Sequence, residues 1–393
     1  MRSSRIAIGF AAGALLLSSA CGSSSSTTTK NQPTAAATTP TAQAATYEVG
    51  VDGNAASLAL PVTESELAYY PKALSVHPGD TVSFGLNFSG EPHTVALGML
   101  VNAAAAAAKT VKPHTDPPPA VQAALKKVPD LLPQGPGDAI QAGAQPCYQA
   151  TGPAPLVNAC PVKTGEFTGS ESLVSSGWLD PNAPFALKIS DAAKPGIYSF
   201  YCQLHGTDMG GTLTIADKAT TIPSVDEVKA TGVKELTAAA ALLAPGVAQL
   251  TSATPAKAFA GNFVMAAQTG QVDGFGPKAI KIPVGGKVTW TIFGPHSIFF
   301  NAPADAQQLR VAAPDGSVHI NVKAASPVGG PGGGPKPGLI NGGSWNGKGS
   351  HSSGIILSFP PDLSSYQLTF TTAGTYNYLC SVHKDMKGTV TVG

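Results

Sequence analysis

Two stretches of this chain are versions of one another. Tyr198 to Ile215 reads YSFYCQLHGTDMGGTLTI, and Thr375 to Val392 reads TYNYLCSVHKDMKGTVTV. Each opens with alternating aromatic residues, passes through Cys-x-x-His to a Met, and closes on alternating β-branched residues. Tyr198, Phe200 and Cys202 share strand parity, as do Tyr376, Tyr378 and Cys380, so each Cys points with two rings toward one face. Each copy also has a His upstream, His93 in EPHTVALG and His296 in GPHSIFF. A half-buried strand precedes that His both times. Val82, Phe84, Leu86 and Phe88 alternate after the turn His77-Pro78-Gly79-Asp80, and Val288, Trp290 and Ile292 alternate after Gly285-Gly286. Ser175-Ser176-Gly177 matches Ser352-Ser353-Gly354, and Ala373-Gly374-Thr375 matches the turn at Lys194-Pro195-Gly196 before the first of the two Cys strands. The repeat therefore extends well beyond the Cys loops and predicts an internally duplicated, all-β chain.

The organisation around the repeat can be read in order. Residues 1–21 carry Arg2 and Arg5, an apolar run and small residues ending at Cys21, the pattern of an export signal. Residues 22–45 are Ser, Thr, Ala and Pro with little apolar bulk, and read as a flexible tether. The first domain is expected over 46–217, with an insertion over about 98–164 that has helical segments at Ala103–Ala108 and after Asp116. A linker at 218–257 contains a helix over Asp226–Leu243 bounded by Pro245 and Pro255, and a second domain occupies 258–393. The Gly/Pro-rich run Val328–Gly343 reads as a mobile loop. The net charge is +1 and 12% of residues are charged, which leaves no electrostatic footprint for nucleic acid. Cys147 and Cys160 could close a disulfide loop of about 14 residues, worth roughly 3 kcal/mol, or stay as two free thiols.

Thiolate, imidazole and thioether together form a soft donor set that suits copper, and His₂Cys with a weak axial Met is a blue-copper electron-transfer geometry. One loop supplies three of those ligands, and His93 and His296 are the candidates for the fourth. His77, His114, His319 and His351 show no such spacing and read as surface or locally hydrogen-bonded residues.

These residues resemble the cupredoxin family, in particular its plastocyanin-like and amicyanin-like members, over most of 70–97, 166–216, 278–300 and 350–393. The resemblance implies two Greek-key β-sandwiches in tandem, each with one type 1 copper ion. The ligands would be His93, Cys202, His205 and Met209, then His296, Cys380, His383 and Met386. Two residues separate His383 from Met386, as in amicyanin-like proteins, whereas three separate His205 from Met209. It also implies that His205 and His383 lie near the surface as electron ports. Leu15 to Cys21 resembles a bacterial lipobox, with Ser18 where Leu is usual, which implies lipidation of Cys21 and a place at the outer face of the cell membrane, simple secretion being the alternative. The expected function is electron transfer by a monomer with transient redox partners, and copper capture, storage or delivery is the alternative. Multicopper oxidases and copper nitrite reductases also repeat this domain. They need His-x-His pairs or a His beside the copper Cys, whereas this chain has no His-x-His and carries Tyr201 and Leu379 before its two cysteines. No enzymatic activity is expected.

Overall fold

The computed structural model describes residues 44–53, 63–87, 91–111, 118–128, 143–154, 160, 162, 164–255, 257–263, 270–312, 314, 317–332, 337–383 and 385–393. Cys21, the export signal and nearly all of the tether lie outside the described residues, as do Phe88, His114 and Asp116.

The first half contains β1 (Thr46–Val51), β2 (Thr63–Glu66), β3 (Tyr69–Tyr70), β4 (Ala73–Val76), β5 (Thr81–Leu86), β6 (Ala96–Leu97), β7 (Cys147–Gln149), β8 (Leu173–Ser175), β9 (Phe185–Lys188), β10 (Gly196–Cys202) and β11 (Gly206–Ile215). One sheet has the order β3-β1-β5-β9 and the other β4-β11-β10-β6-β8-β7. The inward faces are those the alternation predicts. Val82 and Phe84 from one sheet and Phe200 and Leu213 from the other are at most 1% exposed and share one core. Apolar burial on both inner faces is what holds such a sandwich shut.

The second half repeats this plan with β12 (Ala258–Phe263), β13 (Gly270–Gly276), β14 (Ala279–Ile282), β15 (Lys287–Ile292), β16 (Gly294–His296), β17 (Phe299–Phe300), β18 (Arg310–Ala312), β19 (Val318–Ile320), β20 (Pro327–Val328), β21 (Gly338–Trp345), β22 (His351–Ser353), β23 (Ile356–Ser358), β24 (Ser364–Phe370), β25 (Gly374–Leu379) and β26 (Lys387–Val392). Within its sheets, β13-β12-β15-β24 copies β3-β1-β5-β9, and β14-β26-β25-β17-β22-β20 copies β4-β11-β10-β6-β8-β7. Strand polarities match too. The pairs β1·β5 and β12·β15 are parallel, as are β11·β4 and β26·β14. The chain is all-β with two sandwiches in tandem.

The duplicated Ser-Ser-Gly segments do the same local work in each half. Ser176 Oγ accepts from Val95 N at 2.8 Å, and Ser353 Oγ accepts from Ile298 N at 2.9 Å. Gly177 and Gly354 follow at φ 63° and 65°, a left-handed conformation that glycine adopts without steric cost. These clips fix the chain just after each upstream His.

Between the halves lie α3 (Val225–Leu242) and α4 (Ala244–Thr251), after the insertion helices α1 (Met99–Ala108) and α2 (Pro119–Leu125). A capping box of Ser224 and Glu227 starts α3. Pro245 does not end the helical linker: it occupies the first turn of α4, where its missing N–H has no helical partner to lose. Likewise α2 begins at Pro119, with Pro118 as its N-cap. The Val328–Gly343 run is not simply a loop, because its ends belong to β20 and β21. In the insertion Cys147 and Cys160 are disulfide-bonded, with Cα atoms 5.0 Å apart. Among the described residues no helix is long and apolar enough to cross a membrane.

The two halves are joined by more than the linker. β2 leaves the first half and adds an antiparallel edge strand to β13 of the second. From the insertion, Gln145 bonds both backbone groups of Val318, donating to its O at 2.6 Å and accepting from its N at 3.2 Å. Gln271 Nε2 donates to Glu91 at 3.1 Å across the same seam.

Candidate metal centre

The ends of β10 and β25 deliver Cys202 and Cys380 to the same position in each half. In the first, Cys202, His93 and His205 bring their ligand atoms within 4.8 Å of one another, and in the second Cys380, His296 and His383 do so. Cys202 Sγ is 4.0 Å from His93 Nδ1, and Cys380 Sγ is 3.8 Å from His296 Nδ1 and 3.5 Å from His383 Nδ1. Both sulfurs are essentially inaccessible, at 0% and 1% exposure. Met209 and Met386 are buried in the same cores as their cysteines.

The second loop closes on itself: Cys380 N donates to Met386 O at 3.0 Å, and Met386 N donates to His383 O at 3.1 Å. The first is built differently. The pairing of β10 with β11 shifts register between Tyr201, opposite Gly210, and Cys202, opposite Gly206, and Met209 lies within β11 in the skipped stretch.

Each sulfur also receives a backbone N–H from the residue after the upstream His. Thr94 N lies 3.3 Å from Cys202 Sγ, and Ser297 N lies 3.4 Å from Cys380 Sγ. The hydroxyls of the same two residues accept from Gln203 N and Ser381 N, each at 2.8 Å, pinning the residue after each Cys. Sequence reasoning missed Thr94 and Ser297. The signal was present as a hydroxyl residue directly following both upstream histidines.

It also missed three buried carboxylates behind the imidazoles. Asp52 and Asp273 are inaccessible and Glu91 is 3% exposed. His93 Nε2 is 2.8 Å from Asp52 Oδ2, and His205 Nε2 is 3.1 Å from Glu91 Oε1. Carboxylates placed so hold the orientation of the rings through Nε2. In the second half the corresponding contacts are longer. Asp273 Oδ1 is 3.8 Å from His296 Nε2 and 3.6 Å from His383 Nε2, and Glu91 Oε2 is 3.9 Å from His383 Nε2. Asp52 and Asp273 share a readable signal, since both sit in a Val-Asp-Gly sequence. Glu91 has none, because the second copy has Gly294 in its place.

Electrostatics within each cluster prepares the sulfurs. Burial opposes the thiolate, but His205 and His93 outweigh it and hold the Cys202 thiol well below its usual range, and His383 and His296 do the same for Cys380. Burial likewise disfavours charged imidazoles. Asp52 and Cys202 overcome it to lift His93 to about 10, and Cys202 and Glu91 lift His205 to about 9. His296 goes the other way, pulled down by burial. Asp273 is raised well above the carboxylate range by burial, which His383 only partly offsets.

The expected position near the surface does not hold for His383, whose side chain is 0% exposed, while that of His205 keeps 13% exposure; the loop ends of the two sandwiches face each other across the seam and Glu91 lies between the two rings. Among the other histidines, His77 contacts Thr220 O at 2.9 Å, His319 contacts Ser317 Oγ at 2.6 Å, and buried His351 contacts Tyr366 OH at 2.9 Å.

No family model and no curated protein matches the chain. Similar solved structures include a reduced auracyanin from Roseiflexus castenholzii, 18% identical over 44% of this chain and 96% of that one, with a TM-score of 0.24. A purple cupredoxin from Nitrosopumilus maritimus is 22% identical over 35% of this chain and 99% of that one, with a TM-score of 0.18. An oxidised plastocyanin from Dryopteris crassirhizoma is 24% identical over 35% and 100%, also with a TM-score of 0.18.

Proposed function

We propose that the chain is an electron-transfer protein with two type 1 copper sites, one in each sandwich. The observation that carries this reading is the pair of buried His-Cys-His clusters, each with imidazole Nδ1 atoms turned toward a sulfur that also receives an amide N–H. The donor set fits copper. Among the described residues His205 Nδ1 is buried without a hydrogen-bond partner, as a nitrogen reserved for a metal would be, and both thiols are already biased toward thiolate.

His93, Cys202, His205 and Met209 would hold one ion, and His296, Cys380, His383 and Met386 the other. Bound copper would supply a one-electron couple. The protein's own part is to keep the ligands rigid, exclude water and hold the sulfur's hydrogen bond, features that tune a copper potential. Asp52 and Glu91 would hold His93 and His205 in the ligating tautomer. Burial of every ligand but His205, which is 13% exposed, favours retention of the metal over its delivery to an acceptor. The chain would be exported and held at the outer face of the cell membrane by lipid on Cys21. Its reaction partners would be redox proteins that bind transiently, and it would perform no catalysis of its own.

Visible absorption with copper quantitation tests this on the chain from residue 22 onward. The expected result is two coppers and an intense blue band that bleaches reversibly on reduction. Cys202→Ser and Cys380→Ser should each remove one site. Weakly held copper with no blue band would sink the reading.

A further inference from the structure

The two halves hold their imidazoles differently, and the difference marks a place between them. In the first half the Nε2 atoms sit 2.8 Å and 3.1 Å from carboxylate oxygens, which is hydrogen-bond length. In the second, His296 and His383 Nε2 stand 3.6–3.9 Å from theirs, too far for hydrogen bonds. Among the described residues, buried His383 Nε2 has no hydrogen-bond partner, and neither has either oxygen of buried Asp273. A buried carboxylate with no donor is expensive in either protonation state.

The spacing has another meaning. Two N or O ligands about 2.1 Å from one tetrahedral ion lie about 3.4 Å apart. The long contacts approach that value, and they also match the 3.5–4.0 Å between sulfur and imidazole in the two flanking clusters. Glu91, Asp273 and His383 bring their ligand atoms within 4.8 Å of one another.

We propose that the seam between the sandwiches binds a third metal ion, a divalent cation such as Zn²⁺, ligated by Asp273, Glu91 and Nε2 of His383. Glu91 comes from the first half, and Asp273 and His383 from the second, so the ion clamps the halves together. Two carboxylates and an imidazole form a nitrogen–oxygen set suited to zinc and unlike the sulfur-containing sets beside it. His383 then faces Cys380 through Nδ1 and the seam through Nε2, and its ring gives up the Nε2 proton on binding. The clamp does not depend on copper in the flanking clusters.

The test uses the full chain from residue 22, loaded with copper, dialysed against Zn²⁺ and then against buffer. Metals are counted by mass spectrometry, and the zinc shell is read by X-ray absorption. One retained zinc per chain with only nitrogen and oxygen neighbours is expected, and Asp273→Asn and Glu91→Gln should each weaken retention at least about tenfold. Three outcomes overturn the proposal: no retained zinc, zinc held equally by both variants, or sulfur in the zinc shell. If Asp273→Asn fails to fold, the wild-type shell and Glu91→Gln still decide. A missing blue band with one sulfur-free zinc would remove the copper reading and leave the clamp. Two blue coppers with no zinc would do the reverse.

Discussion

At the scale of single residues, the recurring Cys, His and Met were legible and the groups packed around them were not. Cys, His and Met announce themselves by chemistry and by recurring in order. Asp52, Glu91 and Asp273 act through tertiary approach, and nothing local separates them from surface acids. Glu171 is a similar case outside the metal clusters. It is 2% exposed and accepts from the Thr168 hydroxyl, Thr168 N, Gly169 N at 3.0 Å and Tyr148 OH at 3.0 Å. Burial alone would raise its pKa, but these bonds outweigh it and the value is lowered. A lowered carboxylate contributes stability above its unfolded pKa of about 4.3 and loses it as pH falls through the folded value. Glu171→Gln is therefore expected to cost about 1–3 kcal/mol at pH 7, with the gap to the parent narrowing below pH 4. Denaturant titrations at pH 3.5, 5 and 7 would check it, and a gap independent of pH would contradict the account.

At the scale of elements, strand existence followed from alternation and element ends did not. Val288, Trp290 and Ile292 are all inaccessible, as their parity required. Periodicity cannot reveal which sandwich a strand will join, so β2's place beside β13 was invisible. The proline that looked like a helix stop is a helix start, because proline is a barrier only to residues before it. The linker helix offers a test in which local preference and packing disagree. Gly→Ala inside an exposed helix ordinarily stabilises by about 1 kcal/mol. At Gly232 an added Cβ would lie 2.9 Å from both the carbonyl C and O of Tyr70, backbone atoms that cannot swing away. Gly232→Ala is expected to destabilise the protein, and a raised melting temperature would show that α3 packs more loosely than described. In the insertion, Cys147→Ser with Cys160→Ser should cost about 3 kcal/mol under oxidising conditions. Under reducing conditions the parent and variant should converge.

At the scale of the whole molecule, the halves unfold together if the seam is as tight as its bonds indicate. A double change of Glu64→Pro and Ser65→Pro removes both adjacent N–H groups of β2, one of which must face β13. Calorimetry should then resolve a second half that melts earlier, and an unchanged single transition would mean that β2 contributes little. The duplication itself was legible from the repeated Cys loops, whereas the way the copies face each other was not. That facing follows from complementary surfaces distributed over Gln145, Glu91, Gln271 and Val318, which share no motif.

The enclosure of His383, and of most of His205, bears on how a doubled protein of this kind would work. A lone sandwich would present its loop imidazole to whatever partner diffused past, and recognition would have to be remade at every encounter. Here that face is occupied by the chain's own second copy, at fixed register and without a search. On the copper reading, the encounter complex that separate carriers form and dissolve has become a permanent part of one polypeptide, and outside partners must meet it elsewhere on its surface.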